Sequence, residues 1–118
     1  MTENNEERVQ MPVEKLIAYQ VARDVLQRVV ACQIRDAKLR DQAVRAAQST
    51  CLNIAEAVGR WSGPDRVRVF RIARGECCEV FAALDVAGLT RGCNVDIAEQ
   101  ARREVGRLYA LLTGLTRS

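Results

Sequence analysis

Apolar residues recur along the chain at intervals of three and four, and the strict alternation of half-buried β-strands is missing. This period places apolar side chains along one side of an α-helix. Pro12 and Pro64 are the two prolines, so the long periodic segments after each of them are not interrupted. The pattern predicts an all-α protein with four helices. We expect them at about residues 13–33, 37–58, 64–87 and 95–115.

Each predicted helix has one apolar side that can face a shared core. The apolar side of the first helix includes Val30, and that of the third includes Phe81. Small residues dominate the apolar side of the second helix, and Trp61 is expected to fill space at its end. Four amphipathic helices joined by short loops favour an up-down-up-down four-helix bundle.

The residues between the predicted helices indicate where the helices stop and start. Gly59 is a candidate stop for the second helix. Ser62 or Gly63 can cap the third helix, and Asn94 or Asp96 can start the last. The predicted boundaries therefore separate a polar acidic tail, residues 1–12, from a bundle over residues 13–118. The composition of the tail is typical of a flexible segment.

The charge of the chain is small but unevenly distributed. The formal net charge is +3, and the first seven residues carry three glutamates, which leaves a more basic body. Such a balance favours an acidic partner such as RNA or DNA without requiring one. No apolar run approaches the roughly 20 residues of a membrane span. With no apolar stretch at the amino terminus either, we expect a cytoplasmic protein that does not enter the membrane.

The sequence offers little material for metal binding or covalent catalysis. The five cysteines are Cys32, Cys51, Cys77, Cys78 and Cys93, and there is no histidine. An odd number of cysteines without CxxC spacing argues against a disulfide framework, and we interpret them as small buried thiols. Without histidine, neither a ferritin-like di-metal site nor an imidazole-activated nucleophile can be assembled. We therefore predict no catalytic residue, no metal site and no cofactor.

Four segments carry a resemblance to a known family. They read KLIAYQVARDV at 15–25, RAAQSTCLNIAEAVGRWS at 45–62, FRIARGECCEV at 70–80 and EVGRLYALLTGL at 104–115. Together they resemble the four-helix-bundle proteins related to those encoded in 23S ribosomal RNA intervening sequences. The central motif of that family usually reads Asn-Ile-Ala-Glu-Gly, an aromatic or apolar residue, then Gly-Arg and Ser. Here Ala57 stands where the family commonly has Gly.

The resemblance implies a small cytoplasmic bacterial bundle. Members of the family are similar to the accessory protein of diversity-generating retroelements, which is a pentameric barrel that binds nucleic acid and a reverse transcriptase. By this resemblance we expect a closed homo-oligomer, with a pentamer favoured.

Apolar residues outside the predicted core also favour an oligomer. Leu52 lies opposite the apolar side of the second helix, and Ile72 and Val86 lie away from the core side of the third. We predict that these three residues form a face between subunits. The alternative is that they are exposed singly, as many surface aliphatic residues are.

Polar residues of the central motif share one side of the second helix. Asn53, Glu56 and Arg60 are spaced by three and four, and Glu79 of the third helix is expected to face them. Ion pairs between these groups would hold the register of the two helices. The alternative, a carboxylate cluster that binds a metal ion, is less favoured without histidine.

Arginines cluster at and after the connection between the second and third helices. They are Arg60, Arg66, Arg68, Arg71 and Arg74. Guanidinium groups suit phosphate oxygens, so these five are the candidate nucleic-acid-binding residues. In the alternative interpretation, they form a solvated face that pairs with acids of another subunit.

The function that we predict is a non-enzymatic, oligomeric helical scaffold whose arginine-rich surface binds nucleic acid. One alternative is a protein-interaction adaptor that binds no nucleic acid. Another is a small-molecule enzyme that uses arginine and glutamate, for which a water-filled pocket lined by two arginines and a carboxylate would be the structural sign.

Overall fold

The computed structural model describes residues 9–117, and within that range it is all-helical, with four α-helices and no strand. After a short 3-10 helix at Pro12–Lys15, the α-helices are α1 (Ile17–Ala31), α2 (Ala37–Val58), α3 (Gly63–Leu89) and α4 (Val95–Leu115). Most of the expected flexible tail, residues 1–8, lies outside the described range.

The first helix is shorter than the expected range of 13–33. Leu16 has an extended backbone, with φ −80° and ψ 123°, which separates the 3-10 turn from α1. At the other end, Gln33 has a φ of 55°, a left-handed conformation that a helix cannot continue through. The backbone conformations of these two residues limit the length of α1. The apolar period of the sequence does not predict these conformations.

Side-chain caps define the starts of the other three helices. Asp36, Ser62 and Asn94 each accept a hydrogen bond from the backbone N–H three residues along, at 2.9, 3.2 and 3.1 Å. Ser62 and Asn94 are thus the caps among the alternatives that the sequence offered. Gly59 ends α2 with φ −82° and ψ −4°, which is a right-handed conformation open to any residue.

The four helices enclose one core, in which α2 packs against α1 and α3, and α4 packs against α3 and α1. The largest fully buried side chains come from all four helices: Val29, Ile54, Val69, Val80, Leu84, Leu108 and Leu112. The most extensive helix pair is α2 with α3. Because Ala43, Ala46 and Ala57 supply only a methyl group each to the buried side of α2, its backbone can approach its neighbours closely.

The α1–α2 and α3–α4 connections lie together and are hydrogen bonded to each other. The Arg35 N–H donates to the Gly92 carbonyl at 2.8 Å, and the Asn94 N–H donates to the Cys32 carbonyl at 2.8 Å. These bonds hold the end of α1 and the start of α2 against the end of α3 and the start of α4.

Three apolar side chains that the sequence assigned to the core are exposed. Val30 is 59% exposed, Phe81 is 44% exposed and Trp61 is 100% exposed. Val30 and Phe81 are at the edges of their apolar stripes, next to Val29 and Val80, which are buried. Trp61 lies in the connection between α2 and α3.

Among residues 9–117, we find no helix with both the length and the apolar character needed to cross a membrane.

Candidate functional site

The α2–α3 connection is held by ion pairs around Arg60. Its guanidinium bonds the Glu56 carboxylate one turn earlier on α2 and lies 3.3 Å from the Asp65 carboxylate on α3. The hydrogen bond with Glu56, followed by the charge of Asp65, raises the pKa of Arg60. Arg60 therefore joins the end of one helix to the start of the next.

Asp65 also binds a second arginine of the candidate cluster. Arg68 donates to Asp65 Oδ1 from Nε at 3.1 Å and from Nη2 at 2.9 Å. A single carboxylate thus partly neutralises both Arg60 and Arg68. Arg66 does not bond Asp65 but donates from Nη2 to the Arg60 carbonyl at 2.9 Å. This bond fixes the backbone of the connection.

The remaining two arginines of the predicted cluster lie further along α3. The Arg74 guanidinium lies over the Tyr109 ring of α4, 5.6 Å from its centroid, in a cation–π contact. Arg71 is exposed, and its side chain makes no hydrogen bond or ion pair with any residue between 9 and 117. It lines an open groove of about 430 Å³ with Gly63, Pro64, Val67 and Arg117.

The predicted arginines thus differ in what they can offer a ligand. Arg60 and Arg68 have acidic partners in their own chain, whereas the alternative interpretation placed those acids in another subunit. Arg71 has no partner among residues 9–117, and the structure adds Arg117, which no sequence pattern predicted. Arg117 follows the end of α4, so no local pattern connects it with α3, and only the packing of the two helices brings it to Arg71.

The polar motif of α2 bonds a different glutamate from the one expected. Asn53 donates from Nδ2 to Glu76 Oε1 at 2.9 Å and to the Ser49 carbonyl at 3.1 Å. The Ser49 hydroxyl also hydrogen bonds Glu76. Glu76 is half-buried between α2 and α3 and accepts from both α2 side chains. This network, together with the Arg60 ion pairs, holds α2 and α3 in register.

Glu79 does not face Asn53, and that expectation is wrong. It is exposed and lines a shallow groove with Gln42 and Val86, nearly one turn beyond Glu76 along α3. Both residues lie on the side of α3 that faces α2, so the spacing alone did not distinguish them. The relative register of the two helices places Glu76, and not Glu79, opposite Asn53.

The three residues of the predicted oligomer face are all exposed in the single chain. Leu52 is 71% exposed, Ile72 43% and Val86 45%. Ile72 and Val86 lie about four turns apart on the same side of α3. A second apolar surface, a groove of about 260 Å³ between α3 and α4, is lined by Cys77, Cys78, Phe81, Val105, Gly106 and Tyr109.

A charged cleft of about 330 Å³ lies between α1 and α4. Its lining includes Asp24, Arg28, Glu104 and Arg107, which is the combination of charges that the enzyme alternative calls for. Arg28, however, donates to Asp24 at 2.8 Å and to Gln100 at 2.7 Å. Arg107 lies 3.7 Å from Glu104. The arginines of this cleft already have partners on the protein.

Neither Cys32 nor Cys77 is an activated nucleophile. Burial raises the pKa of Cys77 to about 12, and burial together with a hydrogen bond to Cys93 raises that of Cys32 to about 12. Both are therefore neutral thiols near pH 7. Four of the five cysteines are buried and Cys78 is exposed, so the expectation of buried thiols is wrong for Cys78. No group of three cysteine, aspartate or glutamate side chains within residues 9–117 is arranged to hold a metal ion.

Comparison with known proteins finds a matching family and a solved structure with a similar fold. A family model described as 23S rRNA-intervening sequence protein matches residues 14–114. The fold is similar to the crystal structure of a protein with unknown function from the S23 ribosomal protein family of Bacteroides thetaiotaomicron VPI-5482. That likeness has a TM-score of 0.76 at 20% sequence identity and covers 86% of this chain and 99% of the other. No curated protein is significantly similar to the chain.

Proposed function

We propose that this chain, which belongs to the 23S rRNA-intervening sequence protein family, is a non-enzymatic cytoplasmic scaffold that binds nucleic acid as a homo-oligomer. In this proposal, each copy is an up-down-up-down bundle. The hydrogen bonds between the α1–α2 and α3–α4 connections support that topology, because they bring the ends of α1 and α3 to one side of the molecule. The short connections between consecutive helices also favour antiparallel neighbours.

The observation that carries nucleic-acid binding is the pair Arg71 and Arg117. Both line one open groove, and neither side chain is paired with an acid of the described chain. Arginine forks match phosphate oxygens, and each neutralised phosphate adds affinity that falls as salt rises. Arg66 is exposed at the same end of α3 as Arg71 and adds a positive charge that no acid of residues 9–117 neutralises.

Oligomerisation would increase the number of phosphate groups that the protein can bind at once. One copy offers few phosphate contacts, whereas a closed ring would repeat the Arg71–Arg117 groove once in every subunit. The exposed Leu52, Ile72 and Val86 support a contact between copies. Five copies is the number that the family resemblance favours.

A fluorescence-anisotropy titration with RNA and DNA at low and moderate salt tests the proposal. Replacing Arg71 and Arg117 by Glu should weaken binding at least tenfold, because it removes two phosphate contacts and adds two repulsive charges. Arg103→Glu is the matched control, since Arg103 is exposed on α4 and, among residues 9–117, pairs with Glu99 alone, at 3.3 Å. Equal affinity of the wild type and the double variant would contradict the proposal.

A protein-interaction adaptor is the second candidate, and the apolar α3–α4 groove favours it. Such a groove, with Phe81 and Tyr109 in its walls, is a typical place for an apolar side chain of a partner. Pull-down from a nuclease-treated lysate separates the two functions: an adaptor retains its partner, whereas a nucleic-acid binder loses the associated material.

An arginine-and-glutamate enzyme is the third candidate, and the α1–α4 cleft is the observation in its favour. A substrate anion there must displace Asp24 from Arg28 or Glu104 from Arg107. We rank this function below the other two for that reason.

A further inference from the structure

Trp61 is the one tryptophan of the chain, and its side chain is fully exposed. A large aromatic ring in water is unfavourable, and most indoles in folded proteins are largely buried. The exposure of Trp61 is not the result of a loose loop. The carbonyl of the preceding Arg60 accepts from Arg66 at 2.9 Å, and the Arg60 guanidinium is bonded to Glu56 and Asp65. The following Ser62 caps α3. The backbone on both sides of the indole is therefore fixed.

Trp61 is close along the chain to residues that line the cationic groove. Gly63 and Pro64 form one wall of the groove that Arg71 and Arg117 line. Trp61 is two positions before Gly63, so their Cα atoms are at most about 7.6 Å apart. The backbone that carries an exposed indole is therefore within a few ångströms of a groove lined by two arginines without acidic partners among residues 9–117.

The charges around the indole also favour an anionic ligand. Residues 56–71 hold more arginines than acids: the acids are Glu56 and Asp65, and the arginines are Arg60, Arg66, Arg68 and Arg71. Arg117 of the same groove adds a further positive charge. Both acids are occupied by arginines, since Glu56 binds Arg60, and Asp65 binds Arg60 and Arg68. A partner that presents both a planar ring and a negative charge would satisfy the two features together.

We infer that Trp61 and the Arg71–Arg117 groove form a binding site for single-stranded nucleic acid, in which a base stacks on the indole and the adjacent phosphate enters the groove. This inference rests on the proposed nucleic-acid binding and specifies its ligand. Every base has a stacking face, so an exposed aromatic ring beside arginines is a sequence-tolerant site. In a duplex the bases are stacked on one another and paired, and an indole fixed on the protein surface cannot reach their faces without unstacking them.

The single tryptophan reports on this contact directly. The protein is titrated with a single-stranded oligonucleotide and with a duplex of the same length, and indole fluorescence and the anisotropy of a labelled strand are recorded together. The single strand should quench the fluorescence of Trp61, and the midpoint concentration of the quenching should equal that of the anisotropy change. It should also protect Trp61 from quenching by acrylamide. The duplex should bind more weakly and leave the fluorescence unchanged.

Variants separate stacking from charge. Trp61→Ala should weaken single-strand binding about tenfold, and Trp61→Phe should restore most of the affinity. Arg71→Ala with Arg117→Ala should reduce the slope of log affinity against log salt by roughly 1.4 for a single strand, since two phosphate contacts are lost. Arg103→Ala should change neither quantity. Circular dichroism confirms that each variant is folded, which the exposure of all four side chains favours.

The outcomes distinguish this inference from the proposal on which it rests. Binding of single strands and duplexes with equal affinity, without quenching and unaffected by Trp61→Ala, overturns the stacking site and leaves nucleic-acid binding intact. No binding of either ligand overturns both. Protection of Trp61 from acrylamide that grows with protein concentration, without nucleic acid, shows that another protein copy covers the indole, and the inference is then wrong.

Discussion

Glu76 of α3 links α3 to α2 through hydrogen bonds to two side chains of α2. It accepts hydrogen bonds from Ser49 and Asn53 in a half-buried position, where few waters can replace a lost partner. Hydrogen bonds to a charged group in such surroundings contribute more than those at the surface.

We predict that Asn53→Ala lowers the free energy of unfolding by about 1–3 kcal/mol, because it leaves one oxygen of Glu76 without its donor. Urea denaturation followed by circular dichroism measures the change. Glu79→Gln is the control and should stay within about 0.5 kcal/mol, since Glu79 is exposed. An equal loss in the two variants would contradict the assignment of Glu76 as the partner.

The buried thiols predict a loss of stability at high pH. The pKa of Cys77 is raised from an ordinary value of 9.0 to about 12. Below pH 9 the thiol is protonated in both the folded and the unfolded chain. Between pH 9 and 12 only the unfolded chain ionises, so the folded state loses stability as pH rises.

The expected slope for Cys77 is roughly 1 kcal/mol per pH unit above pH 9. Urea denaturation under reducing conditions at a series of pH values measures it. Cys77→Ala should have a shallower pH dependence than the wild type, whatever its stability at pH 7. Cys78→Ala is the control, because Cys78 is exposed and its removal leaves no cavity in the core. Parallel pH profiles of the wild type and Cys77→Ala would contradict the prediction.

At the scale of elements, α3 is the longest helix, and it contains a glycine in its interior. A Cβ atom added at Gly75 would meet no other atom within 4 Å, apart from the backbone of its own helix. Glycine in a helix interior costs about 1 kcal/mol relative to alanine, because more backbone freedom is lost on folding.

Gly75→Ala is therefore expected to raise the free energy of unfolding by about 0.5–1 kcal/mol. Thermal and urea denaturation give the value. Gly63→Ala, which also meets nothing within 4 Å, should gain less, since Gly63 begins the helix and is not in its interior. Destabilisation by Gly75→Ala would contradict the prediction.

Over the whole molecule, the exposed aliphatic residues bear on the proposed assembly. Ile72 and Val86 lie on one side of α3, and Leu52 lies on the outer side of α2. If these residues form a contact between copies, a buried charge there should break it.

We expect multi-angle light scattering to give the mass of an oligomer, which is at least twice the 13.1 kDa of one chain. Ile72→Glu with Val86→Glu should lower that mass while the helical content is retained. Val30→Glu provides a control at an exposed aliphatic residue outside the proposed face. A wild-type mass of 13.1 kDa at the concentration used for the binding titrations would contradict the homo-oligomer. It would also contradict the repetition of the Arg71–Arg117 groove around a ring.

Much of the fold could be predicted from local signals. The apolar period of three and four predicts the all-helical class and four helices, both of which are confirmed. The family resemblance that four segments carry is confirmed by a match over residues 14–114. Helix caps such as Ser62 and Asn94 can be predicted from sequence because the contact is local. The capping side chain accepts from a backbone N–H only three residues along.

The candidate site needed the tertiary structure, because its parts are distant in sequence. Arg117 joins Arg71 across two helices, and Glu76 replaces Glu79 as the partner of Asn53 through the register of α2 against α3. Trp61 is apolar and close to a helix end, and only the tertiary structure shows that its side chain is exposed. Sequence determines which residues can share a helix side, because that follows from the period of one helix. Which side chains meet, and which are left exposed, is decided by how the helices pack.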